Sequence, residues 1–125
     1  MSWYKVKRDP ADDAFSEWIR RRDKCCQKCG QAGYGDKGIT GLDASHFWGR
    51  GKENTRFDPL NVDAMCRNCH KWLGEHKTEY EAWKLNQIGQ TQYDLLELRS
   101  NTYRKKERKL EAIFWKRRLR QDYNV

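Results

Sequence analysis

The sequence predicts an α+β domain in which a small metal-stapled core is flanked by N- and C-terminal helices. Two observations carry this. Cysteines recur as Cys26-x-x-Cys29 and Cys66-x-x-Cys69, two hooks of the kind that close on a tetrahedral metal ion, and helical periodicity lies on either side of them. The 125 residues suit one ordinary domain. It divides into an N-terminal helix over 1–23, a stapled core over 24–77 and a basic helical extension of the same domain over 78–125. Aliphatics are few, whereas 6 Trp, 6 Tyr and 4 Phe can each bury a large area. A core this thin usually needs a staple.

Asp9 caps a helix whose first residue is Pro10, with Ala11, Ala14, Phe15, Trp18 and Ile19 on one face. Asp12, Asp13 and Glu17 near its start and Arg20 to Arg22 near its end complement the helix dipole, which gives those charges a structural role. Glycines punctuate a loop from Gly30 to Gly41. A strand is expected from Ile39 to Trp48, a short extended piece near Thr55 to Phe57, and a helix from Asn61 with Val62, Met65, Cys69 and Trp72 at helical spacing until Gly74. Thr78-x-x-Glu81 reads as a capping box opening a helix with Tyr80, Trp83 and Ile88 inward, closed by Gly89. Helical character resumes from about Tyr93 to Gln121, broken near Ser100 to Thr102, with Leu110, Ile113, Phe114 and Leu119 as its packing stripe.

Charge is concentrated at one place. The net charge is +8, and residues 99–120 account for all of it: ten bases, among them Lys105, Lys106, Lys109, Arg117 and Arg118, stand against Glu107 and Glu111. Such an arm suits a polyanion, and DNA contact is the expectation. No apolar run approaches the roughly 20 residues of a membrane span, and no apolar stretch follows Met1 as a signal peptide would require. A reducing cytoplasm is therefore expected, where paired Cys-x-x-Cys motifs bind metal sooner than they form disulfides.

Four thiolates in two hooks match a structural zinc at about 2.3 Å per ligand, with no position left open for substrate. The 36 residues between the hooks exceed a common zinc-finger spacing, so the zinc clamps two elements around a segment that holds His46 and Asn61. Cys25 is the odd thiol, and Cys26 has the better spacing.

Three runs then resemble a known family: Asp43-Ala44-Ser45-His46-Phe47, Arg56-Phe57-Asp58-Pro59-Leu60-Asn61-Val62, and Cys66-Arg67-Asn68-Cys69-His70-Lys71. Over residues 24–77 the chain resembles the HNH, or ββα-metal, endonucleases, and is most similar to phage recombination nucleases of the NinG/Rap and Ref type. The resemblance implies a ββα-metal core, cleavage of double-stranded or branched DNA, and a phage-encoded protein working in the bacterial cytoplasm. A junction cutter of this kind would work as a homodimer.

The chemistry assigns roles to the signature residues. A neutral His46 can deprotonate a water near physiological pH, Asn61 can orient its ring by accepting the Nδ1 proton, and His70 can hold Mg2+ or Mn2+ against the reacting phosphate. Many HNH enzymes place an Asp or His just before the base, where this chain has Ser45. Asp43 shares a strand face with Ser45 and can supply that carboxylate, while His76 is a weaker ligand candidate, nearly opposite His70 on a helix. Arg50, Lys52 and Arg56 flank the site as phosphate contacts, although Arg56 could instead pair with Asp58 or Asp63. The competing reading is a catalytically silent zinc module that only binds nucleic acid.

Overall fold

The computed structural model describes residues 8–35 and 39–125. In chain order it contains α1 (Pro10–Asp23), β1 (Leu42–His46), a 3-10 turn (Glu53–Thr55), β2 (Val62–Cys66), α2 (Arg67–Glu75), α3 (Lys77–Ser100) and α4 (Arg108–Tyr123). The architecture is α+β, four helices around a two-stranded sheet.

α1 starts as its sequence dictates. The Asp9 carboxylate accepts from the Ala11 amide, Pro10 occupies the first turn, and Ala11, Ala14, Phe15, Trp18 and Ile19 are the buried face. β1 and β2 pair antiparallel with His46 opposite Val62 and Leu42 opposite Cys66. Two strands alone are marginal, and here the outer edge of β2 is covered. Arg22 donates to the Val62 carbonyl, the Ala64 amide donates to Asp23, and the Gln27 amide donates to the Ala64 carbonyl. Strand alternation then sorts the side chains. Asp43, Ser45 and Asp63 meet α2 and α3, while His46 meets Phe15 of α1.

The most extensive helix–helix packing joins α1 to α4. Trp115 sits 4.7 Å from Phe15 and 5.1 Å from Trp18 between ring centroids, and the Trp18 indole donates to Asp122 at 2.8 Å. The basic extension thus supplies part of the core.

Several expected elements differ. Residues 62–66 form a strand rather than the start of a helix, because β2 is buried at every position and a strand buried on both faces loses its alternation. The helix starts only at Arg67, and Trp72 is left exposed. Thr55 to Phe57 is not extended: Thr55 ends the 3-10 turn. β1 is shorter than Ile39 to Trp48. α3 is capped at His76 without a side-chain bond, so Thr78 and Glu81 form no capping box. Gly89 (φ 83, ψ 163) kinks α3 instead of closing it. In α4 the buried face is Ala112, Trp115 and Leu119; of the expected stripe, Leu110, Ile113 and Phe114 face solvent.

Candidate metal centre and its surroundings

The first hook is a tight turn. Gly30, at φ 84, lets its amide reach back to the Cys26 carbonyl at 2.8 Å, and the Cys29 amide points at Cys26 Sγ. The second hook joins strand to helix: Cys66 caps α2, its Sγ accepting from the Cys69 amide at 3.5 Å. A sulfur there lies at the positive end of the helix dipole.

All four sulfurs, of Cys26, Cys29, Cys66 and Cys69, lie within 4.8 Å of one another. Cys29 and Cys66 Sγ are 3.7 Å apart, close to the edge of about 3.8 Å that follows from a tetrahedron with Zn–S bonds of about 2.3 Å. Burial disfavours the Cys26 thiolate, but amides of Cys29, Cys66 and Lys28 outweigh it and draw the thiol down to about 6. Burial and the neighbouring sulfurs push Cys69 up to about 12. Sulfurs this close cannot all ionise unless a cation shares them, and the donor set fits zinc, which would bind here as a closed structural ion. Cys25 is a half-buried thiol outside the group.

His70 follows Cys69 on α2, so the hook that fixes the helix fixes this imidazole. Its Nδ1 lies 3.1 Å from Asp43 Oδ2 on the facing strand, and Arg67 stands 3.6 Å from the other carboxylate oxygen. The Asp43–His70 pair is partly open to solvent. Ser45 is not: it is 1% exposed, with its hydroxyl on Tyr80 Oη at 2.7 Å, so it offers an incoming ion nothing. His76 bonds the Trp72 carbonyl and stacks on the Trp72 ring at 4.1 Å. It takes no part in the pair.

His46 is brought to neither His70 nor the Asn61 side chain. Its Nε2 lies 3.0 Å from the Arg56 carbonyl. Burial lowers its pKa, only partly offset by that carbonyl, and keeps the ring neutral. Asn61 does not accept the imidazole proton. Wholly buried, it accepts from the Trp48 amide and donates to the Trp48 and Thr55 carbonyls at 2.8, 2.9 and 3.0 Å. These bonds knot the β1–β2 loop, and the loop presents the Arg56 carbonyl to His46. Asn61 therefore holds the histidine through the backbone.

The cations divide into two groups. Arg56 forms a two-pronged pair with Asp12, a partner 44 residues away, so it neither pairs with Asp58 or Asp63 nor is free for phosphate. Arg118 pairs with Asp122 and lies over Trp18, which makes it packing too. Arg99 pairs with Asp58, and Arg108 with Asp9 and Glu53. Lys52, Lys105, Lys109 and Arg117 are exposed, Lys106 is half-buried, and Arg50 is exposed at 3.8 Å from Asp12. No local signal marks Asp12 as a partner for Arg56, because its place in the first turn of α1 already has a reason.

Fold and site together define a small α+β module built around four clustered cysteines that could hold a metal ion. Residues 4–123 match the family described as Bacteriophage Lambda NinG protein, and the chain belongs to that phage family. No curated protein and no solved structure matches it. No helix among the described residues is long and apolar enough to cross a membrane.

Proposed function

We propose that this protein is a metal-dependent endonuclease that hydrolyses DNA phosphodiester bonds during phage recombination or DNA processing. The observation that supports it best is the Asp43–His70 pair: a carboxylate and an imidazole 3.1 Å apart, partly open and anchored by the cysteine hook. Both are donors that Mg2+ or Mn2+ accepts, and such an ion would offset charge building on the phosphate. When His46 donates Nε2–H to the Arg56 carbonyl, Nδ1 keeps the lone pair that takes a proton from water. That water attacks phosphorus as the P–O3′ bond breaks and the departing 3′ oxygen takes a proton from solvent, leaving a 3′-hydroxyl and a 5′-phosphate. DNA is held by the cations of α4 that pair with no carboxylate among the described residues, Lys109, Lys116, Arg117 and Arg120, with Lys105 beside them.

One observation favours the second reading, a zinc module that binds nucleic acid without cutting it. β1 turns Asp43 and His46 to opposite faces, and a catalytic base must reach the water beside the ion. Supercoiled plasmid incubated with Mg2+ or Mn2+ separates the two. Nicking by the wild type, lost at least a hundredfold in Asp43→Asn, His70→Ala and His46→Ala, is the expected result. Intact plasmid under every condition, with DNA still bound, would establish the silent module.

A further inference from the structure

Beside the Asp43–His70 pair a cleft of about 410 Å³ opens between the first hook's loop and the start of α2, lined by Gln31, Tyr34, Asp43, Arg67 and Asn68. Its features are not those of a packing defect. Tyr34 stands at its lip, 66% exposed, on a backbone that is firmly held. Backbone bonds to Thr40 in both directions, at 3.1 and 2.7 Å, hold residue 34, with a third from the Thr40 hydroxyl to its carbonyl.

The ring rests on Gly41. Gly41 has φ +78, which favours glycine, and a β-carbon there would lie 2.7 Å from Tyr34 Cε1 and displace the ring. An exposed aromatic seated this way loses little freedom when something stacks on it. Arg67, its side chain 87% exposed, stands beside Asp43 and offers a forked donor set that matches phosphate. Gln31 and Asn68 carry amides, which both donate and accept and so can meet base edges.

We propose that this cleft binds an unpaired nucleotide of a DNA substrate, its base stacked on Tyr34 and its phosphate on Arg67. The occupant must be unpaired because neighbours cover both faces of a base within a duplex, and a ring can stack only on one that has left the helix. The proposal rests on the nucleic-acid reading above and adds a substrate class: DNA single-stranded or opened next to the Asp43–His70 pair.

The test is binding with Ca2+ in place of Mg2+, so that cleavage is not read. The probe is a 12-nucleotide single strand carrying one 2-aminopurine, free or annealed to its complement. Stacking by alanine substitution accounts for a fold-change of about 5 to 150 per base, so Tyr34→Leu should bind the single strand about tenfold more weakly and lose 2-aminopurine quenching. Duplex affinity should not change, and Tyr34→Phe should keep both signals. Gly41→Ala, which keeps the tyrosine but displaces it, should reproduce Tyr34→Leu; a thermal melt checks that it folds.

A Tyr34→Leu protein that binds and quenches like the wild type overturns the site, as does wild type with no affinity for the single strand. The readouts separate this proposal from the nuclease reading. Plasmid nicking with normal single-strand binding by Tyr34→Leu removes the stacking site alone. Loss of single-strand binding in Tyr34→Leu, where the wild type never nicks, keeps the site and removes the nuclease.

Discussion

Lys84 of α3 reaches the carboxylate of Asp63 on β2 at 2.7 Å, with both side chains almost sealed from solvent. Gln87 donates to the other oxygen at 2.6 Å. Burial pulls the lysine pKa down despite that partner, so the pair joins α3 to the sheet at a desolvation cost. Removing Lys84 leaves the buried Asp63 carboxylate with only the Gln87 amide and Arg22 at 3.9 Å. Lys84→Ala should cost about 3–5 kcal/mol, read as a fall in the urea midpoint at constant slope. Lys84→Met combined with Asp63→Asn should recover most of it, and a single-variant loss under about 1 kcal/mol would refute the pair's role.

The cysteine cluster predicts an asymmetry among five thiols. Cys66→Ser removes a candidate metal ligand, the cap of α2 and the clamp behind His70, and structural zinc sites carry folding free energy directly. The expected phenotype is an unfolded or strongly destabilised protein with less than stoichiometric zinc. Cys25→Ser, outside the group, should retain one zinc per chain and the wild-type melting temperature. Equal zinc loss in both would move the fifth thiol into the site.

Burial of His46 makes stability depend on pH. Its folded pKa lies below the usual 6.5, so between those values the unfolded chain binds a proton that the folded chain refuses. Stability therefore falls as pH drops from about 6.5 to the folded pKa, and this contribution is flat on either side. His46→Gln keeps a donor for the Arg56 carbonyl but cannot titrate. The difference between wild-type and variant stability should vary with pH only in that window; a difference constant from pH 8 to 5 would show that the ring is not held neutral.

The cations of α4 should separate into two phenotypes. Changing Lys105, Lys109, Lys116, Arg117 and Arg120 to Gln should leave the melting temperature intact. It should also flatten the slope of log affinity against log salt by about 0.9 for each duplex phosphate no longer neutralised. Changing Arg108 and Arg118 should instead lower the melting temperature, since these hold Asp9, Glu53 and Asp122. Truncating α4 takes Trp115 out of the core and should unfold the protein.

Elements are legible in the sequence wherever their cause is local. Asp9, Pro10 and the face of Phe15 and Trp18 specify α1 without help from elsewhere, and two Cys-x-x-Cys hooks can converge on little except a metal. β2 reads as helix because Val62, Met65 and Cys69 happen to fit a helical period, while burial on both faces removes the alternation of a strand. In α4 two stripes compete, and Ala112, Trp115 and Leu119 win because Trp115 finds Phe15 and Trp18. The excess of positive charge is plain in the sequence, but the use of each charge is not. Arg56, Arg99 and Arg108 meet carboxylates 44, 41 and 55 residues away, pairings that only the folded chain creates. Asn61 stands out by its motif, yet its task depends on where the Trp48 and Thr55 backbone lies.

The docking of α1 on α4 bears on folding kinetics. The bond from Trp18 to Asp122 closes a loop of 104 residues, and closure over such distances is slow because chain entropy is lost before contacts form. Metal bound early across Cys29 and Cys66 would remove a detour of 37 residues. Closure entropy grows only with the logarithm of length, so this shortcut lowers the cost by about 0.4 kcal/mol, roughly a twofold faster search. Zinc that joins only after the folding barrier would instead leave refolding unchanged and slow unfolding by orders of magnitude, so the limb of the chevron that moves on loading reports when the metal joins.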